Sequence, residues 1–139
     1  MHNSFKENYI IYKNYHNNIY NIYIHKITIP LIILASFILL SKIKLIKIHI
    51  NIMLLLFYIS YYFYINLYIS LYANSFYILL YIISNKLIKI RNIRKISFIV
   101  LFTSSSIQIL GHLLLENNRP VLMYNLKQSI LMAPIFIFI

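Results

Sequence analysis

INIMLLLFYISYYFYINLYISLYANSFYILLYIIS, residues Ile50 to Ser84, runs for 35 residues without a formal charge. A single helix of that length would be about 50 Å long, well beyond the roughly 30 Å hydrocarbon core of a bilayer. A hairpin of two helices solves the length problem. Its turn is expected between Asn66 and Ser75, where Asn66, Ser70, Asn74 and Ser75 fall. A β-barrel is a poor fit, because alternation is weak and turn residues are scarce. Helices also satisfy their own backbone groups in lipid.

The flanks extend this reading. Ser41 to His49 (SKIKLIKIH) carries Lys42, Lys44 and Lys47, and Asn85 to Lys95 carries Lys86, Lys89, Arg91, Arg94 and Lys95. Two crossings separate these basic blocks, so they share a side, and excess positive charge makes that side cytoplasmic. Ile27 to Leu40 is a short apolar run with Pro30 near its start, a position proline tolerates in a first helical turn. Ile96 to Leu115 is a clean apolar segment, and Ser129 to Ile139 is apolar to the end. No signal peptide is expected, because the first apolar stretch starts late and no small-residue cleavage site follows it.

The expected fold is all-α: a polytopic membrane helical bundle with about four transmembrane helices plus a C-terminal half-span or truncated helix. It forms one integral membrane domain over residues 1–139, with apolar segments at about 27–40, 50–66, 68–84, 96–115 and 129–139. Four crossings bring the polar segments 1–26 and 116–128 to a common side, opposite the basic loops.

Composition agrees. The chain has 139 residues, 61% of them hydrophobic, and a net charge of +11; its mean hydropathy is +0.75. Those values are too apolar for a soluble domain with an ordinary surface. The positive charge lies between apolar runs, which points to anionic lipid headgroups and not to nucleic acid. With no cysteine, disulfides and thiolate metal sites are excluded. One glycine can build neither a P-loop nor a dinucleotide fingerprint, and no GxSxG or HExxH is present.

Chemistry-bearing residues cluster in the polar segments. Gln108, His112 and Glu116 follow at i, i+4 and i+8, so they share a helix face. Gly111, the sole glycine, would let another backbone or a ligand come close. Ionisable groups near a membrane helix end face a bundle interior or a wet cavity; the alternative is an interfacial pair that marks where the helix leaves the bilayer. His16 and His25 lie nine apart, about 180° around an ideal helix. A helix start or break between them is needed before both can face one atom. Plain interfacial histidines in a Tyr-rich segment are the alternative there. His2 and His49 carry no further signal.

The two polar segments together resemble the endoplasmic-reticulum 2-hydroxy fatty acid dioxygenase family, which includes the fungal enzyme of phytosphingosine breakdown. The first motif reads Tyr15-His16, Asn21, His25 and Pro30; the second reads Gln108, Gly111, His112, Glu116, Pro120, Asn125, Gln128 and Ala133-Pro134. The likeness covers about residues 9–139. It implies a multi-pass protein of the endoplasmic reticulum membrane that uses Fe(II) to shorten 2-hydroxy fatty acids by one carbon. It further implies His16, His25 and His112 as metal ligands, and Glu116 as a fourth ligand or the partner that orients an imidazole. Gln108 would act with Glu116 beside the metal, while Asn21, Arg119 and Lys127 would serve the substrate. Two positions depart from the family pattern. Tyr124 stands where the family has Asp, and Asn85 stands where the family has a further His. A non-catalytic membrane protein of the same fold, with a ligand lost, is the alternative that Asn85 raises.

Overall fold

The computed structural model describes residues 7, 10–117, 120, 126–131 and 133–136. The described elements, in chain order, are α1 (Ile19–Leu40), β1 (Lys44–Leu45), β2 (Ile48–His49), α2 (Ile50–Ile65), α3 (Leu67–Leu87), α4 (Ile93–Leu115), α5 (Leu126–Leu131) and α6 (Ala133–Phe136). A short helical stretch over 10–14 precedes α1. The fold is nearly all-α. Helices α1, α3 and α4 are long and apolar enough to cross a membrane, and α2 is a shorter apolar helix. At 1.5 Å per residue α2 is about 24 Å long, somewhat less than a hydrocarbon core.

The first span starts earlier than the apolar run. Helix α1 begins at Ile19, eight residues before Ile27, and this gives it the 22 residues a crossing needs. Its first two turns read as polar, yet they are two-sided. Asn21 and His25 are 0% and 7% exposed, whereas Ile19, Tyr20, Tyr23 and Ile27 are between 58% and 69% exposed. The polar residues face inward and the apolar ones outward, the reverse of a soluble helix and suited to lipid. Asn18 caps the start: its Oδ1 accepts the Tyr20 N–H at 2.9 Å. Pro30 consequently lies in the helix interior and not in a first turn. Membrane helices tolerate such prolines.

The chain forms two compact units, one of residues 1–29 and 104–139, the other of residues 30–103. The second contains the hairpin expected from Ile50–Ser84. Asn66 alone separates α2 from α3, in an extended conformation (φ −165°, ψ 130°). Its N–H donates to the Tyr62 carbonyl and closes α2, while its side chain accepts from Tyr68 and Ile69 and opens α3. The turn thus falls at the first residue of the expected window, where Asn66 caps both helices. The two helices fold back on each other. Tyr58 stacks on Tyr77 with ring centroids 4.6 Å apart, and Tyr62 Oη donates to Tyr77 Oη at 3.4 Å. Phe37 packs edge-on against Tyr77 and Tyr81.

The first basic block is more ordered than a loop. Residues 44–49 pair as a two-stranded antiparallel ladder, Lys44 opposite His49 and Leu45 opposite Ile48. After Gln108, α4 continues to Leu115; α5 begins at Leu126, within the segment read as polar, and α6 lies in the C-terminal apolar segment.

Candidate metal centre

The site lies wholly within the first unit, where the N-terminal end of α1 meets the C-terminal end of α4. Gly111 faces Asn21, the Asn18 side-chain amide reaches the Leu115 carbonyl at 3.5 Å, and Gln108 Nε2 donates to Thr28 Oγ1 at 2.7 Å. These contacts run antiparallel along the two helices and bring the two polar segments together.

His16 sits before α1, in the turn that follows the 10–14 helical stretch. Its N–H donates to the Lys13 carbonyl at 3.2 Å. Its Nδ1 lies 2.9 Å from the Tyr12 carbonyl. A carbonyl can only accept, so Nδ1 carries the proton and Nε2 keeps a lone pair. The Tyr12 ring stacks on the imidazole at 3.9 Å. Burial pushes the His16 imidazole down to about 4, partly offset by its hydrogen bond to Tyr12. It is therefore neutral at neutral pH, as a metal ligand must be. The break needed between His16 and His25 falls at residues 16–18, just where Asn18 starts the helix.

His25 from α1 and His112 from α4 complete the group. The three rings meet edge-on: centroids are 4.6 Å apart for His16–His25, 4.7 Å for His16–His112 and 5.0 Å for His25–His112. All three are buried, at 6%, 7% and 2% exposure. One nitrogen from each lies within 4.8 Å of the others. The Nε2 atoms of His25 and His112 are 3.1 Å apart. Two imidazole nitrogens that share one ion at roughly 2.0–2.1 Å each lie about 3 Å apart when at right angles. His16 Nε2, His25 Nδ1 and His112 Nδ1 are buried without a hydrogen-bond partner among the described residues. Buried polar atoms left this way are costly and ask for a reason. Three imidazoles fit a transition-metal ion such as iron, zinc or copper; His16 Nε2 and the facing Nε2 atoms of His25 and His112 would hold it, and the two Nδ1 atoms point away from that position.

Glu116 lies beside this group but points its carboxylate elsewhere. Oε2 accepts the Asn17 N–H at 3.1 Å; Oε1 accepts the Asn18 N–H at 2.9 Å and the Asn21 side-chain amide at 3.1 Å. The carboxylate thus caps the start of α1 from another helix, where the helix dipole favours negative charge. Burial raises its pKa, but the three N–H donors lower it further, so the group stays below the usual carboxylate range. Burial and then the Glu116 charge hold the Tyr12 phenol above its ordinary value.

Asn21 is fully buried and spends its amide N–H on Glu116. A Cβ at Gly111 would stand 2.6 Å from Asn21 Oδ1, so the glycine is what lets Asn21 reach this place. Gln108 works one turn deeper, on Thr28, whose hydroxyl donates to the Ile24 carbonyl at 2.7 Å. Arg119 and Asn125 lie outside the described residues, as do the side chains of Lys127 and Gln128. Asn85, on α3, belongs to the other unit. Four residues of this network lie outside the sequence motifs: Tyr12, Asn17, Asn18 and Thr28. Of these Asn18 was recoverable, since Asn before an Ile/Tyr-rich helix is an ordinary N-cap.

Fold and site together define a multi-pass helical membrane protein with a buried three-histidine group able to hold a metal ion. A sequence model of the family described as 2-hydroxy-palmitic acid dioxygenase Mpo1-like matches residues 2–139, and the chain belongs to that family. No curated protein and no solved structure matches the chain.

Proposed function

We propose that the protein is an Fe(II)-dependent dioxygenase that shortens 2-hydroxy fatty acids by one carbon, in the endoplasmic reticulum membrane and in the service of sphingoid-base breakdown. The observation that carries this reading is the buried trio His16, His25 and His112, with one ring nitrogen from each within 4.8 Å of the others. Bound iron would supply the site that activates dioxygen toward the substrate. The protein's own residues do the rest. His16, His25 and His112 hold the ion as neutral ligands. The Tyr12 carbonyl fixes the His16 tautomer through Nδ1, the outer support that metal-binding histidines usually have. Glu116 and Asn21 hold the turn that carries His16 against the helix that carries His25. Gln108 and Thr28 tie α1 to α4 one turn below. Arg119 and Lys127 are the cations assigned to the substrate carboxylate. A substrate dissolved in the bilayer suits a site between membrane helices.

The alternative is a non-catalytic protein of the same fold. Asn85, in place of a family histidine, favours it. The separating experiment is metal analysis of detergent-purified protein handled without oxygen, wild type beside His112→Ala. Iron near one per chain in the wild type and absent from the variant supports the enzyme. Oxygen-dependent release of the one-carbon-shorter acid from 2-hydroxypalmitate then completes the case. No bound metal in folded protein reconstituted with Fe(II) leaves only the alternative.

A further inference from the structure

The connection between α1 and α2 is a built projection with an apolar tip. Residues 41–49 contain Lys42, Lys44 and Lys47 and no acidic residue. Beneath the β1–β2 ladder, the Ile50 N–H donates to the Ile43 carbonyl at 2.9 Å. His49 Nδ1 donates to the Ser41 carbonyl at 2.6 Å, and the Ser41 hydroxyl donates to the Ile38 carbonyl at 2.7 Å. The chain reverses over Ile46 and Lys47 on this fixed base.

Ile46 is the wrong residue for a turn that only reverses the chain. Its φ is 61°, a conformation that β-branched residues rarely adopt. Two-residue hairpin turns carry glycine, asparagine or aspartate at such a position. Ile46 is also 94% exposed, and Ile43, Leu45 and Ile48 are each at least half exposed. The hairpin therefore presents four aliphatic side chains interleaved with three lysines. It does so at the end of a helix apolar enough to cross a bilayer. Aliphatic groups flanked by lysines match the boundary between acyl chains and headgroups, where long basic side chains reach back to phosphates. The charge, three cations unopposed, is complementary to anionic lipid.

We propose that the 41–49 hairpin is an anchor for anionic lipid: Ile46 and its aliphatic neighbours enter the headgroup–acyl boundary, and Lys42, Lys44 and Lys47 hold anionic phosphates. The chain has no tryptophan, so Ile46→Trp places a single indole reporter at the tip. The full-length variant is reconstituted into phosphatidylcholine vesicles with and without phosphatidylserine, and its fluorescence is quenched by acyl-brominated lipid or by aqueous iodide. The expected result is loss of most of the fluorescence to brominated lipid in the anionic vesicles. That loss is smaller in pure phosphatidylcholine, and Lys42→Gln/Lys44→Gln/Lys47→Gln in the same background abolishes the difference. Equal quenching by brominated lipid in both vesicle types overturns the charge-selective anchor. Quenching by iodide in both overturns insertion. Shielding from both quenchers means that another protein surface covers the tip, and it overturns the proposal as well. Ile46→Gly, which relieves the backbone conformation, is the control for folding. It keeps the thermal stability of the wild type in detergent while losing the stabilisation that added phosphatidylserine gives the wild type. Retained stabilisation would count against the anchor.

Discussion

His25 and His112 place their Nε2 atoms 3.1 Å apart, although 87 positions separate them in the chain. Nothing local brings them together. The approach depends on α1 and α4 meeting with Asn21 against Gly111 and Thr28 against Gln108. The trio is thus a product of helix pairing, and its metal affinity should report on that pairing.

Removal of any one ring should abolish tight binding. His16→Ala, His25→Ala and His112→Ala are each expected to lower iron affinity by more than about 100-fold, since loss of merely supporting contacts costs roughly 10–100-fold. His49→Ala is the matched control, because His49 bonds the Ser41 carbonyl and belongs to the α1–α2 connection. Anaerobic Fe(II) titration of the four variants checks this. Equal affinity in the trio variants and the control would remove the metal centre.

Glu116 should behave as a cap. Its three hydrogen bonds go to Asn17, Asn18 and Asn21. Loss of a helix cap costs about 0.5–2 kcal/mol. Glu116→Ala should therefore lower thermal stability by that order and weaken iron binding indirectly. Glu116→Gln keeps one acceptor oxygen, enough for the Asn18 N–H and the Asn21 amide, but turns an NH2 donor toward the Asn17 N–H; it should recover part of the stability and nearly all of the metal affinity. A direct ligand would behave differently, with Glu116→Gln losing metal while the fold held. Parallel melting and iron titration of both variants tells the two apart.

The apolar spans were legible because a bilayer imposes length and hydropathy with little freedom. The hairpin at Asn66 followed from the same length constraint. The start of α1 was hidden for a physical reason. Asn21 and His25 are inward-facing and polar, while Tyr20 and Tyr23 are outward-facing, so hydropathy alone reads 19–26 as a polar tail. The β1–β2 ladder was hidden because Ile46 is not a turn residue. Of the site, the spacing from Gln108 to Glu116 revealed one helix face, and the family motif named the other histidines. That the Glu116 oxygens would be taken by α1 amides depends on where α1 starts, which the sequence pattern misplaced by eight residues.

Gly111 and Asn21 should be coupled. A methyl group at Gly111 would stand 2.6 Å from Asn21 Oδ1, and Asn21 is fully buried. Overpacking of this kind costs about 1–3 kcal/mol. Gly111→Ala should lower stability by that order and weaken iron binding, because Asn21 must release Glu116 to make room. Asn21→Ala frees the space and should make the added methyl group nearly harmless. Melting of both single variants and the double variant should give clear non-additivity. Additive effects would mean that the glycine serves something other than Asn21.

Gln108 and Thr28 offer a test of how α1 and α4 hold together below the histidines. Their hydrogen bond is 2.7 Å long, and the Thr28 hydroxyl also donates to the Ile24 carbonyl. Gln108→Leu removes one partner and leaves a buried hydroxyl with an unused acceptor, at a cost of about 1 kcal/mol. Thr28→Val alone strands the Gln108 amide and should cost about 1–3 kcal/mol. Replacing both partners with apolar groups of like shape should cost less than the two single changes together. Iron affinity separates a structural role from a chemical one. If the pair only ties the helices, the double variant keeps its iron and its rate on 2-hydroxypalmitate. If Gln108 acts on the substrate, the double variant keeps its iron and its melting temperature but loses the rate.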